Sequence, residues 1–405
     1  MTTLIPVSYR QLLRLPPYRT FWIGASLSAT GDTMNEVGIL WVASELEPER
    51  AGMAIALSSI AYIVPGVLTG ALLGRRLDRI DCRQLMLLDA VLRLTMMGTA
   101  AALHWFDRLT LPIFLVLLAL GAMTKPLDTA GRYVFLRRLV PENQLFAANT
   151  LLATVVMGSA IFGPALSGML IAGVSSAAVL AVDALSFALF GLFLLTLPTT
   201  QPDAPATSTN AEKMVPLTGR QLLQLPTMVL IFVVTFFFYL FYGPMVVALP
   251  LWTQGMGPNG AQILGWLYTG FGVGALIGVF WAGSRPQLAR SGVAVLIVLG
   301  WGAAAAVVGL TPSIPVAIVA LAVGGFAYAP YPSLMATILQ REAPPGTLAR
   351  LSSYWAAMGA AAVPIGTMLG GITADLIQPQ PMIFLSGLAT IILAGLAALW
   401  LYLTK

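Results

Sequence analysis

FWIGASLSATGDTMNEVGILWVASEL, residues 21–46, is an apolar run interrupted at its centre by Asp32, Asn35 and Glu36. At 26 residues it exceeds the roughly 20 that a helix needs to cross a bilayer. It does not stand alone. Similar runs fall near 19–44, 51–74, 84–105, 110–136, 144–173, 176–197, 227–255, 261–282, 292–311, 314–340, 346–374 and 380–403. Hydrophobic residues make up 58% of the 405 positions and charged residues only 9%, against about a quarter charged in soluble domains. Mean hydropathy is +0.87. The sequence therefore predicts an all-α polytopic membrane protein of twelve transmembrane helices, with the lipid bilayer as solvent.

The basic residues orient it. With the N-terminus in the cytosol, seventeen of the 21 lysines and arginines fall on the cytosolic side, among them Arg10, Arg14, the Arg75–Arg83 cluster, Arg137, Arg220 and Lys405. Positive charge is retained inside during insertion, so both termini are expected in the cytosol. Orientation thus accounts for the net charge of +5, and nothing in it points to nucleic acid. The first eighteen residues lack the layout of a cleaved signal, because the apolar run after them is too long. No N-x-[ST] sequon occurs, in keeping with a bacterial cytoplasmic membrane.

The chain repeats itself. RQLLRLP (10–16) returns as RQLLQLP (220–226), at an offset of 210. PENQL (141–145) and PPGTL (344–348) each open an apolar helix, which then carries GPALSG (163–168) or GTMLGG (366–371). Between the halves lies LPTTQPDAPATSTNAEK (197–213), of linker composition. The expected organisation is a cytosolic segment 1–18, a six-helix bundle 19–197, a cytosolic linker 198–226 and a second six-helix bundle 227–405. Two parallel six-span repeats are the layout of a transporter that alternates access about a site near the bilayer midplane.

GALLGRRLDRIDCRQ (70–84) resembles the loop between the second and third helices of the major facilitator superfamily. Gly74, Asp78, Arg79, Asp81 and Arg83 match that signature, while Cys82 stands where a basic residue is usual. LRRLVPENQLFAANTLL (136–152), VDALSF (182–187) and ILQREAPPGTLARLSS (338–353) resemble the drug and siderophore exporter branch, of the enterobactin-exporter type. MGSAIFGPALSG (157–168) is similar to the exporter pattern G-x-x-x-G-P-x-x-G-G through Gly163, Pro164 and Gly168, without the doubled glycine. The resemblance implies a conformational gate at Gly74, Asp78, Arg79, Arg83, Gly163 and Pro164, with Asp78 facing the start of the eleventh span. It also implies that the first and fourth helices share a central cavity.

An ionisable residue at the bilayer centre costs about 2.5–3.5 kcal/mol on insertion scales, so a pair of them marks a function. Asp32 and Glu36 are one helical turn apart and share a face. Like charges that close cannot both ionise cheaply, which suits groups that bind and release protons. TKPLDTAGR (124–132) on the fourth span offers Lys125, Asp128 and Arg132 as partners, either for proton coupling or for an ion pair between the two helices. Asp128 and Arg132 are also spaced to pair with each other. Asp89 and Arg93, on the third span, read as structural partners of the loop signature.

The second half differs in kind. Adding 210 to Asp32 reaches Tyr242, and spans seven to ten carry aromatics instead of charge. FFFYLFYGP (236–244), Tyr268, Phe271 and FAYAPYPS (326–333) mark Phe238, Tyr239, Tyr242, Tyr268, Tyr328 and Tyr331, together with Asn35 and Arg132, as candidate substrate-cavity residues. Pro244, Pro330 and Pro332 are expected to break or bend their helices. GFGVGALIG (270–278) has helix-packing spacing rather than a nucleotide fingerprint.

No lysine stands in a G-K-[ST] phosphate loop, and one histidine with one cysteine cannot build an ordinary zinc or haem site. The expectation is a monomeric secondary transporter without cofactor or enzymatic motif. It would export hydrophobic or amphipathic small molecules in exchange for protons. A lysolipid transporter of the same fold, or a sensor that has lost transport, are the alternatives.

Overall fold

Hydrocarbon offers a backbone no hydrogen-bond partner, so apolar runs of this length satisfy their own amides as helices. The computed structural model of the protein describes residues 9–77, 81–141, 144–197, 226–283, 285, 291–344 and 347–403, and among these the regular structure is entirely helical. In the first half the helices are α1 (Tyr9–Arg14), α2 (Pro16–Leu46), α3 (Ala51–Leu77), α4 (Cys82–Trp105), α5 (Leu111–Ala122), α6 (Lys125–Leu139), α7 (Leu145–Gly173) and α8 (Ser176–Thr196). In the second they are α9 (Pro226–Gln254), α10 (Gly260–Gly283), α11 (Ser291–Leu310), α12 (Ile314–Tyr328), α13 (Tyr331–Glu342), α14 (Leu348–Thr373) and α15 (Pro379–Leu403). Eleven stretches among the described residues are long and apolar enough to cross a membrane. The remaining span is α2, whose 31 residues have the length but carry Asp32, Asn35 and Glu36 at mid-height. Asp78, Arg79 and residues 198–225 of the linker lie outside the described residues.

Two spans are each made of two helices. The fourth is interrupted at Met123–Thr124, before Lys125 and Pro126, and the tenth at Ala329–Pro330, before Tyr331 and Pro332. Proline removes an amide donor and its ring clashes with the preceding turn, so a helix restarts there. The span expected near 110–136 is present over Leu111–Leu139, and it is built of two helices. Pro244 goes the other way: it lies within continuous α9, as Pro65, Pro164 and Pro364 lie within α3, α7 and α14. Membrane helices tolerate such prolines because neighbouring helices supply what the freed carbonyls need.

The chain divides into two compact units, Met1–Pro48 with Ser58–Ala206, and Glu49–Leu57 with Thr207–Lys405. In the first, α2 packs on α7 and α8, and α4 on α8. In the second, α9 packs on α14 and α15, and α11 on α15. The pairings correspond, and so does their register. A Cβ on Gly163 of α7 would lie 2.8 Å from Thr33 Cβ and 3.1 Å from Met34 N of α2. One on Gly366 of α14 would lie 2.9 Å from the Leu240 carbonyl carbon and 3.1 Å from Gly243 Cα of α9. Thr33 and Gly243 are 210 residues apart, the offset of the repeated heptapeptides. Both crossings are too close for a side chain, which small residues permit.

At the N-terminal end of α2, Phe21 packs between Phe135 and Phe190, with ring centroids 5.5 and 6.4 Å away. Tyr18 donates from its hydroxyl to the Ala148 carbonyl at 3.1 Å, and Trp22 Nε1 to the Leu151 carbonyl at 3.2 Å. These contacts hold α2 against α6, α7 and α8, and so set the height of its polar residues.

Candidate functional site

Asp32 of α2 is bound by Arg93 of α4. Nη2 of Arg93 donates to Asp32 Oδ1, and Nη1 reaches Oδ2 at 3.4 Å. Asp89, one turn before Arg93, places Oδ2 4.0 Å from Nη1, and the guanidinium lies 4.0 Å over the Phe187 ring of α8. The third-span pair is therefore the partner of Asp32 rather than of the loop signature. Lys125, the expected counter-ion, instead has Nζ 3.3 Å from the centre of the Tyr62 ring of α3. Its position follows from the break before Pro126, which starts α6 with the lysine at its first residue.

Arg132 Nε donates to Asp128 Oδ2 at 2.8 Å, Nη2 to Ser28 Oγ at 3.0 Å and Nη1 to the Ala25 carbonyl at 3.4 Å. This arginine ties α6 to α2 one turn below Asp32. A cavity of about 270 Å³ opens among these groups, lined by Asp32, Glu36, Arg93, Lys125, Asp128 and Arg132 together with Ala29, Thr33, Thr129, Leu152, Val156 and Ser159. Asn35, expected in the substrate cavity, is not on this wall. It stands 100° around α2 from Glu36, fully buried, with Nδ2 3.3 Å from Met97 Sδ of α4.

The second unit contains a cavity of similar volume, about 270 Å³, with aromatic walls. Phe238, Tyr239 and Tyr242 of α9, Phe271 of α10, Trp301 of α11, Tyr328 of α12 and Val363 of α14 line it. Trp301 meets Phe271 edge-on at 5.6 Å, Tyr242 at 5.8 Å and Tyr328 at 6.0 Å between centroids. The Tyr239 and Tyr328 hydroxyls lie 3.5 Å apart. Tyr331 stands behind the wall: its ring packs 5.0 Å from Phe238, and its hydroxyl shares a 2.9 Å hydrogen bond with Thr235. Tyr268 is half-buried and lies outside the lining. Trp301 was missed in the sequence, where it is a single aromatic in the small-residue stretch LGWGAAAA, a spacing that reads as packing.

Asp32 and Tyr242, related by the 210 offset, thus occupy corresponding places in two unlike cavities. The profile of the transmembrane secretion effector family of the major facilitator superfamily matches residues 9–405. The chain belongs to that family. A major facilitator transporter of Sinorhizobium fredii, y4rN, is 26% identical over 97% of this chain and 96% of its own length. The enterobactin exporter EntS of Shigella flexneri is 32% identical over 142 residues, 35% of this chain and 34% of EntS. In fold, the chain is similar to the nucleoside transporter NupG (TM-score 0.73, 15% identity, covering 94% of this chain and 99% of that one). It is also similar to a bacterial homologue of the human lysosomal transporter Spinster (TM-score 0.69, 14% identity, 96% and 97%). The protein is accordingly an integral membrane transporter of the major facilitator superfamily.

Of the gate residues that this family membership suggests, Arg83 is anchored rather than free. Its Nε donates to the Leu194 carbonyl at 2.8 Å and Nη2 to the Leu195 carbonyl at 3.0 Å, at the end of α8. Asp81 caps α4 by accepting from the Arg83 amide, and it lies 3.4 Å from Arg138 Nη1 of α6. Gly163 and Pro164 sit at the α7–α2 crossing. Gly74 falls in the last turn of α3.

Proposed function

We propose that this transporter is a proton-coupled exporter of hydrophobic or amphipathic small organic molecules. The observation that carries this reading is the asymmetry of the Asp32–Arg93 pair. The arginine side chain is 3% exposed and the aspartate 23%, on the wall of the charged cavity. A proton arriving from that cavity meets the carboxylate first. On Asp32 it would cancel the charge that holds Arg93, leaving Asp89 as the arginine's remaining carboxylate. Asp32 is thus the exchanging group, with Glu36 beside it on the same wall, and Lys125 and Asp128–Arg132 set the surrounding field.

The aromatic cavity is the place for the substrate. An apolar cavity of about 150 Å³ is enough for benzene, so the 270 Å³ here suits the flat fused-ring part of a larger amphipathic molecule. The facing hydroxyls of Tyr239 and Tyr328 would bond a polar substituent, and the ring faces would favour a cation. Export, rather than uptake, is supported by the partial similarity to EntS and by Gly163–Pro164. The working unit is a monomer in the bacterial cytoplasmic membrane with both termini in the cytosol, and the cycle is alternation of access between the two units.

Inside-out vesicles with an acidic interior test this, with ethidium as an aromatic cation and Nile red as a neutral probe. Wild type is expected to accumulate at least one probe, and Asp32→Asn to lose the accumulation. Equal accumulation by both proteins refutes the role of Asp32. Accumulation of neither probe, with lysolipid transfer instead, selects the lipid-transporting alternative.

A further inference from the structure

VDALSF (182–187), a segment that the proposed function leaves unused, places Asp183 inside the first unit. Its side chain is fully buried on α8, and neither carboxyl oxygen has a hydrogen-bond partner. Among the described residues it is the only buried carboxyl with both oxygens unpartnered, since Asp89 and Asp128 each leave one. Ser186 does not serve it, because that hydroxyl donates to the Asp183 backbone carbonyl at 2.7 Å. The carboxyl lies against Gly31, where an added Cβ would be 2.9 Å from Oδ1. Gly31 directly precedes Asp32, and Phe187, one turn along α8 from Asp183, carries the Arg93 guanidinium on its ring. The charged groups in electrostatic reach are Asp32 from α2, Asp89 and Arg93 from α4, and Lys125 from α6, with the Tyr62 hydroxyl of α3.

Packing does not require an acid at this place. Asp183 is the eighth residue of α8, and its counterpart, the eighth residue of α15, is Ser386. Ser386 donates to the carbonyl of Phe241, which is 210 residues after Gly31. The same helix crossing in the second unit is thus closed by a small, neutral side chain whose hydroxyl proton is hydrogen-bonded. Charge counting agrees. The spans of the first unit bring together five carboxyls (Asp32, Glu36, Asp89, Asp128, Asp183) and three bases (Arg93, Lys125, Arg132). An ionised carboxyl buried without donors is costly, and a bound proton removes the larger, ionic part of that cost.

We propose that Asp183 is a second, inner proton-binding site, lying behind the Asp32–Arg93 pair, which the transport cycle fills and empties. It rests on the proton-coupled reading above. The step is a proton transfer only: the O–H bond on Asp183 breaks as one forms on Asp32 or on water in the charged cavity, and the electron pair stays on Asp183.

The first measurement is infrared difference spectroscopy of the purified full-length protein in lipid, with and without ethidium. Wild type is expected to show a change in the carbonyl stretch of a protonated carboxyl. Asp183→Asn and Asp183→Ser should lose one component of this change, and Asp32→Asn should keep that component while losing its own. The serine variant copies the second unit and so preserves the crossing if asparagine does not fold. In inside-out vesicles both Asp183 variants should lose gradient-driven accumulation of ethidium while still binding it, and Asp183→Glu should restore accumulation. A carbonyl band unchanged in the folded Asp183 variants, or full uphill transport by them, overturns the proposal. A wild type that accumulates nothing on a pH gradient overturns the proton-coupled reading instead. The infrared comparison needs no gradient and then decides Asp183 separately.

Discussion

Arg93→Met should destabilise the protein much more than Asp32→Asn, although the two residues form one ion pair. In the asparagine variant Arg93 still has Asp89 Oδ2 at 4.0 Å. Two unit charges at that separation attract by about 4 kcal/mol at an effective dielectric of 20. What is lost is the acceptor charge behind two guanidinium hydrogen bonds, on a side chain that already meets the cavity, about 1.5–3 kcal/mol. In the methionine variant both Asp32 and Asp89 lose their base, and Asp89 is 1% exposed. Breaking a buried pair from one side costs about 3–5 kcal/mol, and stranding two carboxyls places this variant at the upper end. Removing all three charges with apolar replacements, as Asp32→Leu/Asp89→Leu/Arg93→Met, should return stability to near wild type, because well-packed hydrophobic replacement of a buried ion pair is often neutral or better. Equilibrium unfolding in mixed micelles of increasing SDS fraction measures each difference. An asparagine variant as unstable as the methionine variant, or a triple variant no better than Arg93→Met, would refute the assignment of Asp89 as the reserve partner.

At the repeated helix crossings, Gly366→Ala should cost more than Gly163→Ala, about 3 against 1 kcal/mol in the same unfolding assay. The first meets the Leu240 and Gly243 backbone, whereas the second meets chiefly the Thr33 side chain. Trp301→Ala should weaken ethidium binding about tenfold, near 1.4 kcal/mol, while Tyr268→Phe, outside the cavity lining, should leave it unchanged; fluorescence titration of purified protein decides. Replacing Tyr62 by Phe should preserve accumulation in vesicles and replacing it by Leu should lower it. The face of the ring that carries Lys125 is worth up to about 2 kcal/mol when desolvated, and phenylalanine keeps it.

The spans were legible because apolar length is a one-dimensional property, and the edges fall within a few residues of the runs. The repeat was legible too: the 210 offset read from two heptapeptides relates Thr33 to Gly243 at the two helix crossings, while Gly163 and Gly366 opposite them keep the 203 offset of PENQL and PPGTL. Asp32 could be found from its cost in lipid, but its partner could not. Periodicity assigns a residue to a face without saying which helix lies opposite, and Arg93 comes from α4 rather than α6. The same criterion, an ionisable group inside an apolar run, holds for Arg93, Asp89 and Asp183. Among the aromatics, Tyr239, Tyr242 and Tyr328 line the cavity, whereas Tyr331 backs it and Tyr268 lies elsewhere. Tyr268 and Phe271, one turn apart on α10, differ in this way only through the neighbours they meet. The interruption before Pro126 was visible as a proline but not as a break, since Pro65, Pro164, Pro244 and Pro364 leave their helices intact.

The two close crossings, Gly163 on Thr33 and Gly366 on Gly243, have a consequence for how such a protein can change. They fix the backbones of both halves in one register without using Asp32 or Tyr242, their neighbours in sequence. The residues that face each cavity are therefore free to drift independently of the joints that shape it. A library randomising Tyr239, Tyr242, Trp301 and Tyr328 would alter which cargo is accepted while leaving the source of energy as it was. The frame is thus alike in the two halves, while the walls built on it differ in chemistry.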